Sequence, residues 1–106
     1  MADELSMRLG DRRERAISGS RDAVSALAAL GVTAVITGSL ARNRFGLYSD
    51  ADFLVTSCPR HLKYTFEGMV EDALGGLPFD VIYLDEIPEW KVARFTEGAV
   101  DAADLS

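Results

Sequence analysis

The chain has a single cysteine, Cys58, so no disulfide can form within it, and the reading is an intracellular, reducing location, the cytoplasm. No apolar run approaches the 18 residues that a membrane span needs. The first residues, "MADELSMRLGDRRERA", mix acids with bases and contain no apolar core, so they do not read as a secretory signal. Positive charge is also scarce. Eleven Lys and Arg face 17 Asp and Glu, a net charge of -6, and non-specific nucleic-acid binding, which runs on phosphate neutralisation, is not expected. Five arginines gather early (Arg8, Arg12, Arg13, Arg15 and Arg21), but Asp11, Glu14 and Asp22 lie among them, and the expectation is a solvated helix face.

What is present suffices for one domain. At 106 residues there is room for a workable core and no second unit. Residues 4–30 read as a helix, with Ile17, Val24, Leu27 and Ala28 at helical spacing and Gly31 as its stop. Gly19 weakens its middle by about 1 kcal/mol relative to Ala, which admits a later start near Ser18 or Ser20. "VTAVIT", residues 32–37, is β-branched and apolar and reads as a central strand. Residues 38–49 read as a loop holding one helical turn near Leu40 to Asn43, and 51–56 as a second strand. Pro59 suits the first turn of a helix whose stripe is Leu62, Phe66, Met69, Val70, Ala73 and Leu74. "FDVIYL", 79–84, reads as a third strand. A last helix runs from Pro88 to Gly98, and the tail "DAADLS" is expected to fray. Together these divide the chain into an N-terminal helix (about 4–30), a core (about 32–85), and a C-terminal helix and tail (88–106). The order α, β, loop, β, α, β, α predicts a layered α/β (α+β) fold, with a small mixed sheet of three to four strands.

The stretch "GSLARNRFGLYSDADFLV" (38–55) is the unusual one. Residues two apart on a strand share a face, so Asp50 and Asp52 project together and repel. Proteins relieve such a pair by protonating one acid or by binding a cation. Acids are depleted in strands, yet Asp80 opens the third strand as these two open the second. The long helical connection between them, residues 57–78, suits a parallel crossover, which sets Asp80 beside Asp50 and Asp52. The first strand ends at Gly38-Ser39, next to the acids and antiparallel to the second. Three aspartates on rigid strands are hard ligands suited to Mg²⁺. Two such ions about 4 Å apart can hold the attacking and leaving oxygens of a phosphoryl displacement. Gly38 allows close backbone approach, Ser39 adds a hydroxyl, and Arg42 and Arg44 can add charge toward a phosphate tail.

Gly-Ser, ten residues, Asp-x-Asp, then an Asp opening a later strand: this pattern resembles the DNA polymerase beta-like nucleotidyltransferase superfamily, and the size resembles its minimal branch. "TGSLARNRFGLYSDADFLV" looks like that branch's central motif, "PFDVIYLDE" like its third-acid strand and "RFTEGAV" like its closing segment, so the likeness runs from about Val32 to Val100. The resemblance implies a nucleotidyltransferase fold in which Gly38, Ser39 and Arg42 bind the nucleotide phosphates. Asp50, Asp52 and Asp80 would bind two Mg²⁺ ions, and Asp80 would also help activate the attacking hydroxyl. It further implies transfer of AMP from ATP to a hydroxyl of a protein partner, with this chain acting as antitoxin to a HEPN-type helical toxin. A non-catalytic antitoxin that masks its partner is the alternative. An aminoglycoside-type small-molecule transferase is disfavoured, because the acceptor domain of such relatives is missing and another copy or a partner would have to replace it. Two departures stand out: Asn43 where relatives have Gly, and Ala51 between the acids where relatives have a large aliphatic. Asn tolerates the left-handed conformation, and neither change removes a catalytic group. Cys58 is expected to be a small packing residue, His61 to lie on the surface, Tyr48 to be partly buried beside the loop, and Asp85 and Glu86 to be solvated. Trp90 and Phe95 suit either the core or a partner surface.

Overall fold

Three apolar stretches line up side by side as β1 (Thr33–Thr37), β2 (Ala51–Ser57) and β3 (Phe79–Tyr83). The structure is a computed structural model and describes residues 2–63 and 67–105, the first six by backbone alone. Among the described residues the sheet has three strands in the order β1-β2-β3. β1 runs antiparallel to β2, and β2 runs parallel to β3. This is the mixed sheet the sequence predicts. Beyond it, Val100 pairs with Ile36 in an isolated antiparallel bridge on the free edge of β1.

The helices are α1 (Ala2–Ala29), α2 (Gly38–Ala41), α3 (Glu67–Leu74) and α4 (Glu89–Thr96). One apolar cluster joins α1 (Ala16, Ala23, Leu27), one face of the sheet (Ala34, Ile36, Ala51, Phe53, Val55, Tyr83) and α3 (Val70, Leu74). Strand alternation makes that face. The opposite face carries two rows set by the register: Val35, Leu54 and Ile82, and beside it Thr37, Asp52 and Asp80. Leu54 is fully buried there, outside the main cluster.

α1 does not restart near Gly19. It is continuous, and α3 packs tightly against Gly19: a Cβ there would lie 2.7 Å from the Ala73 carbonyl oxygen and 2.8 Å from Leu74 Cδ2. The glycine lowers helix propensity and permits the helix contact.

Three expectations are corrected. The helix after Pro59 begins as a 3₁₀ turn, Arg60–Leu62, and α3 starts only at Glu67; Phe66, expected on its stripe, lies outside the described residues. β3 stops at Tyr83 and gives way to a 3₁₀ turn, Leu84–Glu86. There Asp85 and Glu86 are exposed, as expected of solvated acids. Both pair with Lys63 Nζ, at 3.0 and 2.8 Å, and that ammonium lies 5.2 Å from the centre of the Tyr83 ring. The tail does not fray either. Ala102 and Leu105 are buried, and Arg21 donates to both of their carbonyls.

The early arginines explain that last point: Arg8, Arg15 and Arg21 are exposed as expected, but the contacts that four of the five make to distant segments were not expected. Arg12 donates to the Ser49 carbonyl (2.9 Å) and lies over the Phe45 ring. Arg13 donates to the Asn43 side chain, and Arg15 to the Gly75 carbonyl. α1 is thus a spine whose guanidiniums hold the active loop, the α3–β3 turn and the tail.

Candidate active site

Gly38 begins where β1 ends. Its φ of +71° is in the left-handed region, which glycine enters without a Cβ penalty. There is a second reason for glycine: a Cβ would lie 2.1 Å from Asp52 Oδ2. Asp52 occupies the space a side chain would need. The chain then turns through α2, where the Arg42 amide donates to the Gly38 carbonyl (3.1 Å) and the Arg44 amide to the Ser39 carbonyl (2.8 Å). Asn43 closes the turn at φ +58°, so the left-handed conformation expected of it is present, and Arg13 holds its side chain.

Asp52 is brought to Asp80 by register. The two are Cα partners across the parallel β2–β3 pair, and Thr37 is the Asp52 partner on β1. Neighbouring strands lie about 4.8 Å apart, so the carboxylates leave one face side by side. Asp50 sits just before β2 and is exposed, as is Asp80. Ala51 between the acids is fully buried in the core cluster, and its N–H donates to the Pro78 carbonyl (3.0 Å), which fixes the start of β2 against β3. The small residue fits the core.

The electrostatics record the crowding. Partial burial first, then the charges of Asp80 and Asp50, push the Asp52 carboxyl from 3.8 up to about 6. Both neighbouring acids therefore act on Asp52. Among the described residues, no three acid, histidine or cysteine side chains stand close enough to enclose a single ion. The donor set still suits a divalent cation, since it offers hard oxygens and its like charges make no ion pair among the described residues.

Asp52 and Asp80 border a cavity of ≈ 300 Å³. Thr37 and Gly38 line it at the end of β1, with Ile82 of β3, Arg42 after α2, and Arg94 and Phe95 of α4. Ser39 is half-buried beside Gly38 and does not line it. Arg94 and Phe95 are the residues sequence reasoning missed. The signal was the "RFTEGAV" segment, noted for its likeness but given no role. α4 reaches the cavity because Thr37 Oγ1 donates to the Phe95 carbonyl (3.2 Å). Of the remaining candidates, Tyr48 is 96% exposed, not tucked beside the loop, and Trp90 is 76% exposed and outside the core. His61 is on the surface, and Cys58 is half-buried against its neighbour Pro59.

The mixed sheet thus presents Asp52 and Asp80 beside the Gly38 turn, with the guanidiniums of Arg42 and Arg94 on the same cavity. A family model described as "Nucleotidyltransferase domain" matches residues 17–100; the chain belongs to that family, whose reaction class is transfer of a nucleoside monophosphate. No curated protein and no solved structure matches the chain. No helix among the described residues is long and apolar enough to cross a membrane.

Proposed function

We propose that this chain is a Mg²⁺-dependent nucleotidyltransferase that moves a nucleoside monophosphate, AMP from ATP in the first instance, onto a hydroxyl of a partner protein. The observation that carries this reading is the Thr37–Asp52–Asp80 row beside Gly38, with the Asp52 carboxyl pushed up by its two acidic neighbours.

Asp50, Asp52 and Asp80 would hold two Mg²⁺ ions, which supply charge neutralisation on the attacking and leaving oxygens. Gly38, Ser39 and Arg42 would bind the phosphates. The acceptor oxygen attacks the α-phosphorus and its O–P bond forms as the bond to the bridging oxygen breaks. Pyrophosphate leaves, and the hydroxyl proton passes to the carboxylate of Asp80. Most of the acceleration comes from alignment and fixed charge, since phosphoryl transfer asks little covalent chemistry of the protein. The protein acceptor, and the role of antitoxin to a HEPN-type helical ribonuclease, are supported by the likeness of "TGSLARNRFGLYSDADFLV" to the minimal branch.

A second reading is a binding module that neutralises its partner by masking it. One observation favours it: no three carboxylates of the described residues stand close enough to enclose an ion.

One experiment separates the two. Incubate the protein with α-labelled ATP, Mg²⁺ and the product of the adjacent gene, then repeat with Asp50→Asn plus Asp52→Asn. Label on the partner that vanishes in the variant supports transfer. Neutralisation that persists in the variant, with no label in either case, supports masking.

A further inference from the structure

Six of the nine arginines fall into two groups. Arg12, Arg13, Arg15 and Arg21, on α1, donate to loops and tail. The guanidiniums of Arg42 and Arg94 have no hydrogen bond or ion pair among the described residues, yet both line the cavity that holds Asp52 and Asp80. They come from different elements, the C-terminal cap of α2 and the last turn of α4. α4 is fixed on that side twice. Thr37 holds the Phe95 carbonyl, and beyond the helix Ile36 and Val100 exchange backbone hydrogen bonds of 2.8 and 2.9 Å.

A cavity bordered by acids alone would repel a phosphate. Two free guanidiniums on the same cavity reverse that locally, and a guanidinium fork matches phosphate oxygens in pairs. At ≈ 300 Å³ the cavity is at the small end of ligand sites, and Phe95 is its one aromatic wall residue. This lining favours phosphates over a base.

We infer that Arg94 joins Arg42 in a two-arginine clamp on the polyphosphate tail, so that the site selects a nucleoside triphosphate by its phosphate chain. The inference rests on the nucleotidyltransferase reading and adds to it a residue on α4 and the part of the substrate that is recognised.

The test is calorimetric titration of a non-hydrolysable ATP analogue, and separately of AMP, into wild type, Arg94→Ala and Arg94→Lys, all in Mg²⁺. Arg94 is exposed and unpartnered, so the variants should melt with the wild type. Arg94→Ala should weaken the triphosphate analogue about 10- to 100-fold, the range of a charge-assisted hydrogen bond, and change AMP affinity less than about threefold, because AMP lacks the phosphates those bonds reach. Arg94→Lys should fall between, since it keeps the charge and loses the fork. Unchanged analogue affinity in Arg94→Ala overturns the clamp, and so does an equal loss for AMP. A wild type that binds neither ligand overturns the nucleotidyltransferase reading and the clamp with it, and the wild-type titration alone tells that failure apart.

Discussion

The Asp52 carboxylate fills the space that a side chain on Gly38 would occupy, with Oδ2 only 2.1 Å from the ideal Cβ position. Glycine there is demanded by the acid as much as by its own φ of +71°. Gly38→Ala should therefore cost more than the 1–2 kcal/mol or so of a left-handed non-glycine residue; we expect roughly 2–4 kcal/mol once the clash is added. In an Asp52→Ala background the same change should cost only about 1–2 kcal/mol. A double-mutant cycle by urea denaturation measures the difference.

Asp52 itself should make stability fall with rising pH. Its folded carboxyl titrates at about 6 and the ordinary value is 3.8, so the folded state binds more protons than the unfolded chain in between. Stability then drops as pH rises from about 4 to about 6 and is flat for this group above that. Solvent screening of this half-exposed acid holds the effect below the full linkage value. In chelator, Asp52→Asn should be more stable than wild type at pH 7 and equal to it at pH 4. Urea midpoints across that range check this. Added Mg²⁺ at pH 7 should raise the wild-type melting temperature and leave Asp52→Asn unmoved.

Two glycines of α1 should respond in opposite directions. Gly19→Ala places a methyl 2.7 Å from the Ala73 carbonyl oxygen, and overpacking should destabilise by about 1–3 kcal/mol despite the gain in helix propensity. Gly10→Ala meets nothing within 4 Å and should stabilise by about 0.5–1 kcal/mol. Thermal melts of the pair decide it.

Arg21 should prove to be the anchor of the tail. Its Nε donates to the Ala102 carbonyl at 3.1 Å and its Nη2 to the Leu105 carbonyl. Arg21→Ala should cost about 1–3 kcal/mol and speed amide exchange at Asp104 and Leu105, whose N–H groups donate locally to Asp101 and Ala102. Hydrogen exchange with mass-spectrometric readout would show it.

These predictions also mark what was legible from sequence. The strands were, because "VTAVIT", "ADFLVT" and "FDVIYL" are apolar runs bounded by turn residues, with ends off by a residue or so. The order and directions of the strands followed from the connections, and so did the meeting of Asp52 with Asp80. The reach of the arginines was not legible. Arg21 contacts residues 81 and 84 positions away, and no local pattern distinguishes such a side chain from one on a solvated face. The tail was misread for the same reason, since its anchors lie on α1 and β1. Tyr48 was misread because burial of a loop aromatic depends on what packs over the loop. Arg94 was missed because its place in the cavity is set by a bond between Thr37 and the Phe95 backbone, which the sequence does not display.

Anomalous diffraction from crystals grown with Mn²⁺ and a non-hydrolysable ATP analogue goes most directly to the heart of the account. The prediction is two metal peaks roughly 4 Å apart, bound by Asp50, Asp52 and Asp80, with the phosphate chain running toward Arg42. Nucleotide bound elsewhere, or no metal between Asp52 and Asp80, would contradict it.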